Sequence, residues 1–158
     1  MVAALLSLHH DEHAFWARFG RVEHESLEFK ESPYHIREVI PAMAMSHGGE
    51  IVLGVSDDRR LVGCPLNQHT LDAVMRRARE AAVDVLVTPL RVAAVQLTLV
   101  TVPRVEDRIV TTSDGRLLRR VGSDNVPLFG DEVARFVASR IRRRTRFRRW
   151  REAWRVSD

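Results

Sequence analysis

The chain has 158 residues, one domain's length, with 45% hydrophobic and 29% charged residues, so it can bury a single core and is neither disordered nor collagenous in composition. Its formal net charge is +4, and all of its 25 basic residues except Lys30 are arginine, whose planar fork grips phosphate oxygens in pairs. A single cysteine, Cys64, excludes an internal disulfide or a Cys-rich zinc site and fits a reducing cytoplasm, while the apolar opening Val2 to Leu8 is too short for a membrane span and lacks the flanks of a secretory signal.

From Ser7 to Phe19, the residues Leu8, Phe15, Trp16 and Phe19 fall near one face of a helix that Gly20 ends, giving an N-terminal helix or arm over 1–20. Leu27 and Phe29 then alternate with Ser26, Glu28 and Lys30 in a short strand that puts Glu28 and Lys30 on one face. The spacing of Ile36, Val39, Ile40, Met43 and Ala44 predicts a helix over Tyr34 to Ser46, with Pro41 expected to kink or loosen it and Gly48 and Gly49 to end it. Ile51 to Val55 reads as a strand buried on both faces. Asp57 to Arg60 then turn it back into Leu61 to Cys64 as a hairpin.

Thr70 is the expected cap of a helix carrying Leu71, Val74, Met75, Ala78 and Ala82 inward, with Arg76, Arg77 and Arg79 outward. Leu90 to Val102 reads as one long strand, followed by strands at Arg108 to Thr112 and Arg116 to Val121 around a Ser113-Asp114-Gly115 turn. Asp131 or its neighbour opens a last helix with Val133, Phe136, Val137 and Ile141 inward. Beyond it, 141–158 forms a basic segment carrying Phe147, Trp150 and Trp154 at helical spacing. The expected fold is α+β, a mixed β-sheet packed with helices in a single domain over 21–140.

Four segments in order carry a likeness: Glu23-x4-Glu28-Phe29-Lys30; Ala42-x-Ala44-x3-Gly48-Gly49-x-Ile51-x2-Gly54-Val55-x-Asp57-Asp58; Leu61-Val62-Gly63; and Leu118-Arg119-Arg120-Val121-Gly122-Ser123-Asp124-Asn125-x-Pro127. Together they resemble the Schlafen-type AlbA-like domain over about Glu23 to Arg140. The resemblance implies an AlbA-like fold and nucleic-acid binding. In animal Schlafens it further implies ribonuclease activity from three carboxylates, which by motif fall on Glu23, Glu28 and Asp57. The small polar run usual before the two glycines is Met45-Ser46-His47 here, and animal Schlafens enclose RNA with two such lobes, so one lobe would need a homodimer to make a comparable groove.

Carboxylates suit that chemistry, because Mg2+ or Mn2+ is held by hard oxygen ligands and polarises a phosphodiester. Glu23, Glu28 and Asp57 are therefore the candidate metal-binding and catalytic set, with Lys30 beside them to contact a phosphate. A regular strand would put Glu23 and Glu28 on opposite faces, so convergence requires a turn near His24. The competing reading pairs Glu28 with Lys30 or a nearby arginine and leaves Asp57 to shape a turn.

Candidate phosphate contacts are Arg119, Arg120, Arg140, Arg142, Arg143, Arg144 and Arg146. The glycine pair follows a helix, unlike a nucleotide loop, so no nucleotide cofactor is expected. His9 and His13, though four apart, read as structural or surface residues. The leading expectation is a cytoplasmic domain, free of membrane, that grips RNA, or DNA, by its backbone. A metal-dependent endoribonuclease and a protein-interaction module are the alternatives.

Overall fold

The computed structural model describes residues 8–141. Its elements are β1 (Leu8–His10), α1 (Glu12–Phe19), β2 (Leu27–Lys30), a 3-10 turn (Pro33–His35), α2 (Val39–Met45), β3 (Gly49–Leu53), α3 (Gln68–Glu80), β4 (Leu86–Val92), β5 (Val95–Val102), β6 (Leu118–Val121), β7 (Asp124–Pro127) and a last helix, α4, over 131–141. Five strands form one mixed sheet in the order β1-β4-β5-β3-β2, parallel at its two outer pairs and antiparallel between. The α+β class is as the sequence indicates.

The sheet separates two apolar layers. Phe15, Trp16 and Phe19 of α1 cover Leu27, Phe29, Val52, Leu97 and Leu99 on one face. On the other, α2 and α3 meet Ile51, Leu53, Val100 and Val102, and Val133 and Phe136 of α4 pack against that cluster. Alternate residues of β3 thus enter both layers, which is why Ile51 to Val55 reads as an unbroken apolar run. Ile141, expected inward, is exposed.

Several local expectations change. β1 occupies what the sequence assigns to the start of a helix, and Asp11 begins α1 by accepting from the Ala14 amide. The strand thereby breaks the helical spacing between His9 and His13. Pro41 lies in the first turn of α2, where a missing amide proton costs no hydrogen bond, so no kink is needed. Asn67, not Thr70, caps α3, accepting from the Thr70 amide at 2.9 Å.

Leu61 to Cys64 makes one antiparallel bridge, Val55 to Leu61, rather than a strand, because the Val62 and Gly63 amides both turn onto Gly54 O. The long strand expected over Leu90 to Val102 is a hairpin, β4 and β5, turning at Ala93 with φ 51°. Arg108 to Thr112 is not a strand: the chain from Pro103 to Leu117 is irregular and drops Val105, Val110 and Leu117 into the core. β6 pairs instead with β7 in a separate hairpin whose turn is Gly122-Ser123.

Gly48 and Gly49 are packing residues. A β-carbon on Gly48 would lie 2.7 Å from Val102 O, and one on Gly49 2.5 Å from Ser26 O, so no anion cradle opens there.

Candidate nucleic-acid interface

The turn that convergence of the carboxylates requires is present. His24 and Leu27 exchange backbone hydrogen bonds at 3.1 Å in both directions, reversing the chain between Glu23 and Glu28. The two carboxylates nonetheless face different partners. Glu23 Oε1 accepts from the Phe29 amide on the free edge of β2 at 3.1 Å, and its other oxygen lies 3.6 Å from Arg59. By occupying an edge donor, Glu23 blunts that strand against further pairing.

Arg59 is held in place on every side. Its φ is 64°, its guanidinium lies 5.0 Å from the centre of the Phe29 ring, and its Nε donates to Arg21 O at 2.9 Å. No periodicity in the sequence marks it for this position.

Glu28 points to the opposite face and is 4% exposed. Its Oε1 pairs with the Lys30 ammonium, and its Oε2 lies 2.8 Å from Arg120 Nη2. That second contact is one of charge rather than alignment, since neither Glu28 Oε2 nor Arg120 Nε has a hydrogen-bond partner among the described residues. The Arg120 side chain is fully buried, donating from Nη1 to Asn125 Oδ1 at 2.9 Å and from Nη2 to His24 O at 3.0 Å. Its own amide donates to Ser46 Oγ at 2.8 Å, giving a polar role to one of the residues ahead of the two glycines.

Asp57 is exposed at the tip of the loop after β3, with no ion pair among the described residues. Its neighbour Asp58 shapes the turn instead, hydrogen-bonded to Ser56 Oγ and paired with Arg60 at 2.8 Å. The Ser56 hydroxyl, followed by Arg60, holds the Asp58 carboxyl below its ordinary value. Among the described residues no three His, Cys, Asp or Glu side chains gather so as to hold a metal ion. With cations on Glu23 and Glu28 and Asp57 apart, the trio as arranged does not fit Mg2+ or Mn2+.

The expected phosphate contacts divide. Arg119 is exposed on the outer face of β6, with Glu132 4.0 Å away. Arg120 and Arg140 are corrections: both are buried, Arg140 donating to the carbonyls of Met45, at 2.7 Å, and Val105. Arg142, Arg143, Arg144 and Arg146, with Phe147, Trp150 and Trp154, lie outside the described residues.

Pairing extends over the whole domain. Of 17 basic residues up to Ile141, eleven make ion pairs with carboxylates. The exposed arginines without such a pair among the described residues are Arg21, Arg76, Arg79, Arg91 and Arg135. The same stretch holds 19 acidic residues, a net charge of −2, whereas 142–158 carries eight arginines against Glu152 and Asp158. The chain's net positive charge therefore resides in its last 17 residues. No described helix is long and apolar enough to cross a membrane. Cys64 is buried, which raises its thiol pKa.

The DIP2311 protein from Corynebacterium diphtheriae is similar in structure, with a TM-score of 0.56 at 19% identity over 66% of this chain and 25% of that one. This likeness shows the shared fold, and the present chain spans about a quarter of that protein's length. No curated protein matches the sequence. A family model described as Schlafen, AlbA_2 matches residues 23–129, from the Glu23 edge cap through the β6–β7 hairpin to Phe129. With well over half of its residues in that match, the chain belongs to the Schlafen, AlbA_2 family, a family associated with nucleic acids.

Proposed function

We propose that the chain binds RNA by its phosphate backbone, and that the arginines of 142–158 supply most of the attraction. The observation that carries this is the division of charge: a domain at −2 with most of its cations paired, followed by 17 residues at +6. Paired surface arginines have little left to offer a phosphate, while eight closely spaced ones release counterions together. Exposed Arg76 and Arg79 on α3, which make no ion pair among the described residues, and Arg119 on β6, whose Glu132 partner stands 4.0 Å away, add secondary contacts.

The test is the salt dependence of RNA affinity for the full chain. Each phosphate neutralised on a single strand adds about −0.7 to the slope of log K against log salt, so changing Arg142, Arg143, Arg144 and Arg146 together to Gln flattens it by about 3. Changing Arg76 and Arg79 to Gln has a smaller effect. Wild-type affinity in the four-arginine variant refutes the proposal. Substituting single-stranded DNA of the same sequence reads the RNA preference directly.

A further inference from the structure

Glu28 sits where the family motif puts a candidate metal ligand, yet its surroundings are those of a counter-ion. The carboxylate is 5% exposed between Lys30 and Arg120, and the Arg120 side chain is 0% exposed. Arg120 is also a junction of three segments: its fork reaches Asn125 on β7, His24 O in the turn before β2, and Glu28 on β2, while its backbone is part of β6. β6 and β7 belong to no other sheet. Besides packing against α2 and the Arg120 amide's bond to Ser46 Oγ, the Arg120 side chain is, among the described residues, the polar tie that joins this hairpin to the β2 edge.

We infer that Glu28 and Arg120 form a buried latch that fixes the β6–β7 hairpin against β2, so that Glu28 is a positioning residue for the hairpin's outer face rather than a ligand for a metal. Arg119 follows from the same geometry: the strand alternates buried Leu118 and Arg120 with exposed Arg119 and Val121, so locking Arg120 inward aims Arg119 outward. The use of that outer face for RNA rests on the function proposed above; the latch itself does not.

A lysine cannot replace Arg120, because one ammonium cannot span Asn125 Oδ1, His24 O and Glu28 at once. Glu28→Gln leaves the guanidinium buried without its counter-charge, whereas Glu28→Leu with Arg120→Met removes both charges and is the variant expected to keep the domain folded.

The experiment is amide hydrogen exchange resolved by segment on the full chain, with thermal unfolding in the presence and absence of Mn2+. In the double variant, and in Arg120→Lys, exchange across 118–127 rises on the order of tenfold while β4 and β5 keep wild-type rates. Mn2+ leaves the wild-type Tm where it was. Unchanged hairpin exchange in the double variant overturns the latch, as does full protection in Arg120→Lys or a Mn2+-dependent rise in Tm that Glu28→Gln abolishes. RNA affinity in the double variant falls severalfold. If it stays at wild type while exchange rises, the hairpin's part in binding is overturned, and a wild-type chain that ignores RNA refutes the proposed function separately.

Discussion

Replacing Arg140 by methionine distinguishes a structural arginine from a phosphate contact. α2 is only seven residues long, and its last carbonyls are closed from three directions. Met43 O takes the Ser46 and Gly48 amides, Ala44 O takes the Val105 amide at 2.9 Å, and Met45 O takes Arg140 Nη2 at 2.7 Å. A guanidinium at the negative end of a helix, also bonded to Val105 O, ties α4 to both α2 and the irregular segment after β5. Methionine removes the guanidinium that lies 5.0 Å from the centre of the Phe136 ring and takes its donors from two carbonyls, Met45 O and Val105 O. Hydrogen bonds from a charged group contribute about 1.5–3 kcal/mol each, and relief from burying the guanidinium returns part of that, for a net loss of about 2–4 kcal/mol. For a chain of this size each kcal/mol moves Tm by about 2–4 °C, so a drop on the order of 5–15 °C is expected by circular dichroism. RNA affinity measured well below that transition stays at wild type. An unchanged Tm with weaker, less salt-dependent RNA binding would refute the assignment and return Arg140 to the phosphate contacts.

Gly49→Ala forces a β-carbon to within 2.5 Å of Ser26 O at a φ of +156°, and should cost more than about 3 kcal/mol, whereas Gly115→Ala, with φ +83° but open space around it, should cost about 1–2; equal Tm losses would contradict the packing argument. Asp114 has its pKa lowered to about 2 by the Thr112 side chain and then Arg116, below the ordinary 3.8. A folded-state value below the unfolded one stabilises above pH 4 and fades as pH falls towards 2. Asp114→Asn should therefore be the less stable protein at neutral pH, with urea midpoints that converge with wild type in acid. Burial that raises the Cys64 thiol pKa predicts slow reaction with a disulfide reagent until the protein unfolds, checked by following thiol release with and without urea.

The sequence carries much of the fold through periodicity. Phe15, Trp16 and Phe19 announce α1, and the unbroken Ile51 to Val55 run announces a strand between two layers. It fails where geometry is supplied by tertiary contact. The β4–β5 turn is made by Ala93-Ala94, with Ala93 at φ 51°, so none of the usual glycine, proline or asparagine signals marks it. Arg108 to Thr112 has strand-like composition, yet Val110 donates its amide to Met45 Sδ and fills the core from an irregular segment. The helix at α2 is shorter than its apolar spacing suggests because Pro33 to His35 takes a tighter turn first.

The site was legible as a neighbourhood but not as an arrangement. That Glu28 and Lys30 share a strand face follows from their spacing, and the reversal near His24 is there, but it leaves Glu23 on the Phe29 amide and Arg59, away from Glu28. What no local pattern could reveal is that Arg59 arrives from one side of the sheet and Arg120 from the other, 36 and 92 positions along from the carboxylates they meet. Counting charges misleads for the same reason. A basic chain suggests a basic surface, but each arginine that ends on a carboxylate is removed from the field that draws a polyanion, and here eleven of the 17 basic residues before 142 end that way. Arginine in this domain acts first as a tie between elements: Arg120 between hairpin and sheet, Arg140 between two helices, Arg59 between loop and edge strand. The proposed attraction for RNA therefore rests on the +6 charge of 142–158 rather than on the domain's paired cations.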